Sequence, residues 1–265
     1  MPTSGNKNNS VGETLRHWRH VRKMSQMALA LDVEISPKHL SFVETGKARP
    51  SRALILRIAN SLNLSLRQRN LLLRAGGYPV EFSNMPFDVT EMSLVRDALH
   101  HLLVNHEPYP ALVIDTAYDI LMTNSGFERI VTLYAGADAL QKYSNLYQLI
   151  FAEDGLRFYF KDWPLIERFL LARLLEEALS TQNEQLKALY EDMRALKSSD
   201  EPTNFQTGSN IPVLNFTLQK DNIKVTFFST VTTFGTPLDV TVQELRIESL
   251  FPANEETKQL FHTAT

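Results

Sequence analysis

The side chains best suited to chemistry in this sequence lie between Gln26 and Arg52, and most of them are hydrogen-bond donors. Amide, ammonium, imidazole and guanidinium groups recur there among small and apolar residues. Such donors bind phosphate oxygens and the polar edges of nucleobases, and an exposed phenyl ring can contact a thymine methyl group. The candidate contact residues are Gln26, Ser36, Pro37, Lys38, His39, Phe42, Thr45, Lys47, Arg49 and Arg52.

Two short helices joined by a tight turn are predicted to position these side chains. Ser36 is suited to cap the second helix, and Pro37 suits its first turn, where no N–H is required. Leu40 and Val43 lie three residues apart and are expected to face inward, which leaves the candidate contact residues of this helix outside. Gly46 is expected to end the helix. This pattern predicts a helix-turn-helix followed by a basic loop.

The motifs SQ-x-x-LA, S-x-x-E-x-G and R-P-S resemble the Xre class of phage-repressor-type DNA-binding domains, over about Val11 to Pro79. The resemblance implies a five-helix domain in which Gln26 and the outer face of helix Ser36–Thr45 meet DNA. It also implies that Arg19 pairs with Glu44 and so holds the recognition helix against the first helix. The alternative for the outer face is an ordinary solvated helix surface, against which an exposed phenylalanine argues.

The charge of the chain is divided unevenly along its length. Residues 1–79 contain 13 Lys and Arg against 4 Asp and Glu, whereas the remaining 186 residues contain 14 against 26. The two balances are therefore +9 and −12. A basic N-terminal domain joined to an acidic one is the distribution expected when one end of a protein contacts DNA.

Composition excludes several other classes of function. The chain has no cysteine, and therefore no disulfide, thiol catalysis or cysteine-ligated metal. It lacks a Gly-rich phosphate loop, a G-x-S-x-G and an H-E-x-x-H motif, so nothing indicates an enzyme. His100, His101 and His106 lack the spacing of a helical metal pair, and neither a metal nor a cofactor is expected. No apolar run reaches eighteen residues and the N-terminus has no signal core, which predicts a cytoplasmic protein without a membrane partner.

Turn-forming residues divide the chain. Gly76-Gly77, Tyr78-Pro79 and Asn84-Met85-Pro86 mark the end of the first domain. We expect a disordered arm at residues 1–10, a helix-turn-helix domain at 11–79, a linker at 80–92 and a second domain at 93–265.

The second domain alternates predicted helices and strands. An amphipathic helix over about Thr90–Asn105 precedes short strands at 111–115 and 120–123, and a long helix begins at Trp163 and runs to about Leu179. A second helix is expected to resume at Thr181, where Thr181 and Glu184 repeat the capping-box spacing, and a polar loop is expected at Lys197–Asn210. Strands follow at 212–218 and 222–231, joined by a turn at 219–221. The last stretch is ambiguous, and a short helix near 242–250 is favoured over a strand. The prediction is a small, mostly antiparallel sheet with helices on one face, in an α+β protein.

This order of elements resembles a PAS-like sensor domain. The segments HEPYPALVIDTAYDILMTN and TTFGTPLDVTVQELRIESLFPANEET, with Asp162-Trp163 before the long helix, look like the ligand-binding domain of MmyB-like regulators over about Leu94–Phe261. The resemblance implies that this domain binds a fatty acid or a similar small apolar ligand. The side chains expected to line such a pocket are Tyr118, Leu121, Phe127, Ile130, Phe158, Trp163, Phe169, Leu170, Phe216 and Phe227. The alternative is that they only fill the core.

Together these patterns predict a ligand-responsive transcription regulator, a repressor rather than an activator, that binds a double-stranded DNA operator. One such module makes few base contacts, so a homodimer on two half-sites about 34 Å apart is expected. Two alternatives stay open. The second domain could serve only dimerisation or binding of a protein partner, or it could be an enzyme fused to a DNA-binding domain.

Overall fold

The structure, a computed structural model, describes residues 10–196 and 213–262. The chain divides into two compact units, Met1–Pro86 with Thr236–Gln243, and Phe87–Gly235 with Glu244–Thr265. We call Thr236–Gln243 the returning segment, because it comes from the C-terminal part of the chain but belongs to the first unit. Residues 1–9 of the predicted arm and the predicted loop Lys197–Asn210 lie outside the described residues.

The first unit contains the predicted helices, and each begins at a serine. Ser10 accepts a hydrogen bond from the N–H of Glu13 and so caps the first helix, although it falls in the predicted arm. Ser25, Ser36, Ser51 and Ser65 cap the following helices in the same way. The helices are α1 (Val11–Val21), α2 (Gln26–Asp32), α3 (Pro37–Glu44), α4 (Arg52–Ser61) and α5 (Leu66–Ala75).

Apolar side chains at helical spacing form the core of this unit. Leu15 and Trp18 of α1, Leu40 and Val43 of α3, and Ile55 of α4 are almost completely buried together. The α1 and α3 helices approach closely at Gly12, where a Cβ atom would lie 2.3 Å from the carbonyl oxygen of Val43. Any larger residue at that position would push α3 away from α1.

The residues after α5 pack on the first unit. The carboxamide of Asn70 accepts hydrogen bonds from the N–H groups of Glu81 and Phe82 and donates one to the carbonyl of Phe82. The predicted linker 80–92 is therefore divided, with residues 80–86 in the first unit and 87–92 in the second.

The returning segment is fastened to this unit by polar contacts. The carboxylate of Asp239 accepts hydrogen bonds from the N–H of Met85 at 3.1 Å and of Thr241 at 2.8 Å. The hydroxyl of Thr241 donates to the carbonyl of Met85 at 2.6 Å. At the start of α5, the N–H of Leu66 donates to the side chain of Gln243 at 2.7 Å. No sequence pattern indicated this arrangement.

The second unit contains a five-stranded antiparallel sheet in the order β2-β1-β5-β4-β3. Its strands are β1 (Ala111–Ile114), β2 (Ile120–Thr123), β3 (Asn215–Lys220), β4 (Ile223–Thr232) and β5 (Arg246–Pro252). The predicted strand pairs are present, although β3 continues through Lys220 into the turn expected at 219–221. The α+β class and the PAS-like combination of a small antiparallel sheet with helices agree with the prediction.

The helix favoured near 242–250 is wrong over most of its length. A short helix, α12 (Val240–Glu244), precedes β5, which is the central strand and pairs with β1 on one side and β4 on the other. Ile247 and Leu250 are buried on opposite faces of the sheet. Both faces of a central strand are covered, so its apolar residues need not alternate along the sequence. The spacing of three between Ile247 and Leu250 therefore resembles the spacing of apolar residues in a helix.

Helices cover both faces of the sheet, not one as predicted. The larger cluster contains Leu112, Ile114, Leu218, Val225 and Phe227 from one face, together with residues of the later helices. On the other face, Leu99 and Leu103 pack against Ala111 and Val113. The remaining helices are α6 (Ser93–Asn105), α7 (Ser125–Ala135), α8 (Ala139–Lys142), α9 (Leu146–Phe151), α10 (Trp163–Thr181), α11 (Glu184–Ala195) and α13 (Glu255–His262).

The long helix α10 ends at Thr181, because the next residue has a left-handed backbone conformation. Gln182 has a φ of 53°, and Asn183 then caps α11 by accepting a hydrogen bond from the N–H of Gln185. The predicted cap at Thr181 is wrong, because its hydroxyl donates instead to the carbonyl of Glu177 within α10. Across residues 10–196 and 213–262, no helix combines the length and apolarity needed to cross a bilayer.

Candidate DNA-contact surface and ligand cavity

The outer face of α3 is a solvent-exposed surface of polar and basic groups around one aromatic ring. Ser36, Pro37, Lys38, His39, Thr45 and Lys47 are all exposed. Phe42 is 38% exposed, and the ammonium groups of Lys38 and Lys47 lie 5.7 and 5.9 Å from its ring centroid. This surface can present two cations to phosphate and an apolar ring to a thymine methyl group.

A buried ion pair holds this helix against α1. The guanidinium of Arg19 donates two parallel hydrogen bonds to the carboxylate of Glu44, at 2.7 and 3.0 Å, and a third to the carbonyl of Met24. The two side chains are only 7% and 1% exposed. Burial alone would raise the pKa of Glu44, but hydrogen bonds from Arg19 and Gln26 outweigh it, and the pKa is lowered from 4.5. The carboxylate is therefore charged at neutral pH, and α3 is held in one orientation.

Gln26 is only partly available for DNA. It is half-buried, and its amide nitrogen donates to Glu44 at 2.7 Å. One amide N–H and the side-chain oxygen remain for an external partner. The residue therefore links the buried pair to the surface, and only part of its side chain can make the DNA contact that the resemblance implies.

Arg49, in the basic loop, and Arg52, which the structure places as the first residue of α4 and not in the loop, already have partners in the first unit. Arg49 donates to the carbonyl of Gly76 at 3.1 Å and lies over the ring of Tyr78. Arg52 pairs with Glu81 at 2.7 Å, with both side chains well exposed. An exposed pair of this kind is weak and can open toward phosphate, whereas Arg49 also braces the end of α5.

The second unit contains a partly open cavity of about 430 Å³ between the sheet and the helices α7, α9 and α10. Seventeen of the twenty described residues that line it are apolar. They are Leu112, Phe127, Ile130, Val131, Leu146, Ile150, Leu156, Phe160, Ile166, Phe169, Leu170, Val213, Leu214, Phe216, Leu218, Val231 and Leu250. Its size lies within the range of ligand pockets, about 300–1,000 Å³.

Half of the side chains predicted from sequence line this cavity. Phe127, Ile130, Phe169, Leu170 and Phe216 do so.

The other five lie elsewhere, for identifiable reasons. Phe158 is 69% exposed on a short 3-10 turn, and Leu121 packs with the cluster on the opposite face of the sheet. Phe227 and Trp163 are buried in the surrounding core without reaching the cavity, and Tyr118 is held by a polar contact.

That polar contact belongs to a network beside the cavity. The carboxylate of Glu177 on α10 pairs with both terminal nitrogens of Arg246 on β5 and accepts a hydrogen bond from the hydroxyl of Tyr118 at 2.7 Å. Burial alone would raise the pKa of Glu177, but the hydrogen bonds and charge of Arg246 lower it. Burial raises the pKa of Tyr118 to about 12, so its hydroxyl remains a donor. The network ties α10 to the central strand.

Sequence reasoning missed the polar members of the cavity wall, which are Arg173, Ser229 and Glu248. A signal for Arg173 was present, because it follows Ile166, Phe169 and Leu170 at helical spacing on the inward face of α10. Among the described residues there is no cluster of three or more histidine, aspartate or glutamate side chains that could hold a metal ion.

Comparison with known proteins agrees with this division into two functional parts. Residues 10–72 match a helix-turn-helix domain, and residues 95–263 match the MmyB-like transcription regulator ligand binding domain. No curated protein matches the chain.

The solved structures that match include a gene regulator and a light receptor. The clp gene regulator ClgR from Corynebacterium glutamicum is 22% identical over 40% of this chain and 99% of its own, with a TM-score of 0.24. An RNA-binding light-oxygen-voltage receptor is 11% identical over 96% of this chain and 63% of its own, with a TM-score of 0.29. Scores this low bear on neither the fold nor the function of this chain. The ligand-binding family, in contrast, covers more than half of the 265 residues, and the chain therefore belongs to the MmyB-like transcription regulators.

Proposed function

We propose that this protein is a cytoplasmic, homodimeric repressor of the Xre type whose affinity for its operator changes when a single-chain apolar molecule, such as a fatty acid, occupies the second unit. It acts by binding, not by catalysis. The observation that carries the proposal is the apolar cavity of about 430 Å³ in a chain that also presents an exposed recognition helix.

The DNA-contact surface supports the first half of the proposal. The α3 helix exposes Lys38, His39 and Thr45, while the buried pair of Arg19 and Glu44 fixes its orientation. We propose that this face enters the major groove and that Lys47, Arg49 and Arg52 contact the phosphates beside it. Two copies on half-sites about 34 Å apart would supply enough contacts for specific binding.

The composition of the cavity supports the second half. Its wall is apolar except for three side chains, so an alkyl chain of a suitable length would replace unfilled space with packed contacts. Strands β4 and β5 both contribute to the wall, through Val231 and Leu250 among others.

The returning segment offers a covalent route from the cavity to the DNA-binding unit. It joins β4 to β5, and its residues Asp239, Thr241 and Gln243 are fastened to Met85 and to the first residue of α5. If ligand binding changes the spacing or tilt of these strands, the returning segment would transmit that displacement to the first unit. We propose that ligand shifts the population between two such arrangements of the dimer.

Mass spectrometry of small molecules released by denaturing the purified full-length protein tests the ligand half. A variant with Phe216→Arg, which places a charge in the cavity, is the matched control. We expect a stoichiometric single-chain apolar compound from the wild type and none from the variant. A compound released equally by both would show that it lies outside the cavity. Failure of the wild type to bind any added alkyl compound would favour a second unit that only dimerises.

A further inference from the structure

The cavity has a polar corner made of Arg173, Ser229 and Glu248. Arg173 lies on α10, one helical turn after Phe169 and Leu170, whereas Glu248 lies on β5 and Ser229 on β4. The rest of the described wall is apolar, so this corner is where the polar end of a chain-like ligand would lie.

Arg173 is available for such a ligand. Among residues 10–196 and 213–262 its guanidinium is attracted by the nearby carboxylates of Glu248 and Glu177 but forms no direct hydrogen bond with either. The next charged residue on this face of α10, Glu177, is in contrast fully engaged by Arg246 and Tyr118. The guanidinium therefore presents several N–H groups without an acceptor in the described part of the chain.

Glu248 adds a negatively charged hydrogen-bond acceptor to the same corner of the cavity. It lies two residues after Arg246 on β5, so both side chains and Leu250 project from the same face of the sheet. Directly opposite on β4 is Val231, and Ser229 is the diagonal neighbour. Its carboxylate attracts the guanidinium of Arg173 without a direct hydrogen bond to it, so its oxygens stay open to a ligand donor. It can accept hydrogen bonds but cannot donate them.

The two charges restrict the head group that fits. A free carboxylate would satisfy Arg173 but would have no proton for Glu248 and would repel it as a like charge. An amide satisfies both, because its carbonyl accepts from the guanidinium and its N–H donates to the carboxylate. Both hydrogen bonds would be charge-assisted.

We infer that the cavity selects acyl compounds with an uncharged amide head, for which Arg173 is the donor and Glu248 the acceptor. This inference rests on the proposed function, since it presupposes an alkyl chain in the cavity. It makes Arg173 and Glu248 the residues that determine specificity, and among fatty-acid derivatives it predicts tighter binding of the amide than of the free acid. If the two residues paired only with each other, neither would distinguish one head group from another.

Equilibrium dialysis of radiolabelled tetradecanamide and tetradecanoate against delipidated full-length protein at neutral pH tests the inference. We expect the amide to bind the wild type about tenfold more tightly or better, the ratio that one charge-assisted hydrogen bond supplies. Glu248→Gln keeps the size of the side chain but removes its charge. The variant should therefore bind the amide and the carboxylate with nearly equal affinity. Glu191→Gln, which removes a carboxylate from the exposed surface of α11, should leave the ratio unchanged.

The outcomes separate this inference from the proposed function. Equal binding of both compounds, or tighter binding of the carboxylate, overturns the inference and leaves an alkyl-binding cavity in place. A preference for the amide that survives Glu248→Gln also overturns it. Binding of neither compound, to the wild type or to Glu248→Gln, overturns the inference together with the proposed function.

Discussion

Replacement of Glu44 by alanine removes one partner of a buried ion pair and leaves the guanidinium of Arg19 without its main acceptor. The pair is 7% and 1% exposed, and its geometry is bidentate at 2.7 and 3.0 Å. Breaking such a pair from one side costs about 3–5 kcal/mol, because an uncompensated charge remains buried. Gln26 also loses its acceptor. We expect the first unit to lose most of its stability.

The two tryptophans of the chain make this measurable in the full-length protein. Trp18 is buried in the first unit and Trp163 lies in the second. In a Trp163→Phe background, tryptophan fluorescence during urea titration therefore reports only the first unit. With an m value of about 1 kcal/mol/M for a small domain, the midpoint should fall by about 3 M or to zero urea.

Glu81→Ala is the matched control. It also removes a carboxylate paired with an arginine at 2.7 Å, but that pair is 47% and 36% exposed. Its loss should cost about 0–1 kcal/mol. Replacing both Arg19 and Glu44 by methionine should restore much of the stability lost in Glu44→Ala, because no buried charge is left. Equal costs for Glu44→Ala and Glu81→Ala would refute the reasoning.

Acid should lower the free energy of unfolding of the first unit through the same carboxylate. The pKa of Glu44 is lower in the folded state than the ordinary value of 4.5, so its contribution to stability is fully present above pH 4.5. That contribution disappears as the pH falls through the folded pKa. Urea midpoints across that range would show it, and a Glu44→Gln protein should lack most of the effect. Lys47→Ala should weaken operator binding at every sequence and lower the slope of log affinity against log salt by about one, because it removes a phosphate contact. Fluorescence anisotropy measures that slope, and an unchanged slope would contradict the assignment. Phe216→Arg should abolish binding of alkyl compounds in dialysis, whereas Phe158→Ala, on an exposed side chain, should not alter it. Asp239→Ala should leave binding of alkyl compounds intact but reduce the change in operator affinity that such binding causes. If that change in operator affinity is as large as in the wild type, the returning segment is not part of the mechanism.

The helical unit could be predicted from sequence because its signals are local. A serine precedes each helix, glycine ends α3 with a φ of 73°, and apolar residues recur at helical spacing. These features act within a few residues of one another, so no tertiary information is needed to interpret them.

The central strand and the cavity could not be read in the same way. The conformation of β5 depends on β1 and β4, which come from distant parts of the chain, and its apolar residues serve two faces. Aromatic residues of the cavity wall have the same local pattern as those of the core, which is why Phe227 and Phe216 were not distinguished. Contact of the returning segment with the first unit leaves no periodic pattern at all.

The central claim is that occupancy of the cavity changes operator affinity. The most direct test isolates a duplex operator by repeated selection from a random pool. It then measures the Kd of the full-length protein for that duplex, with and without saturating tetradecanamide or tetradecanoate, whichever dialysis shows to bind. The account predicts a change of about tenfold for the wild type and none for Phe216→Arg. An operator Kd that stays the same while dialysis shows the ligand bound would contradict it.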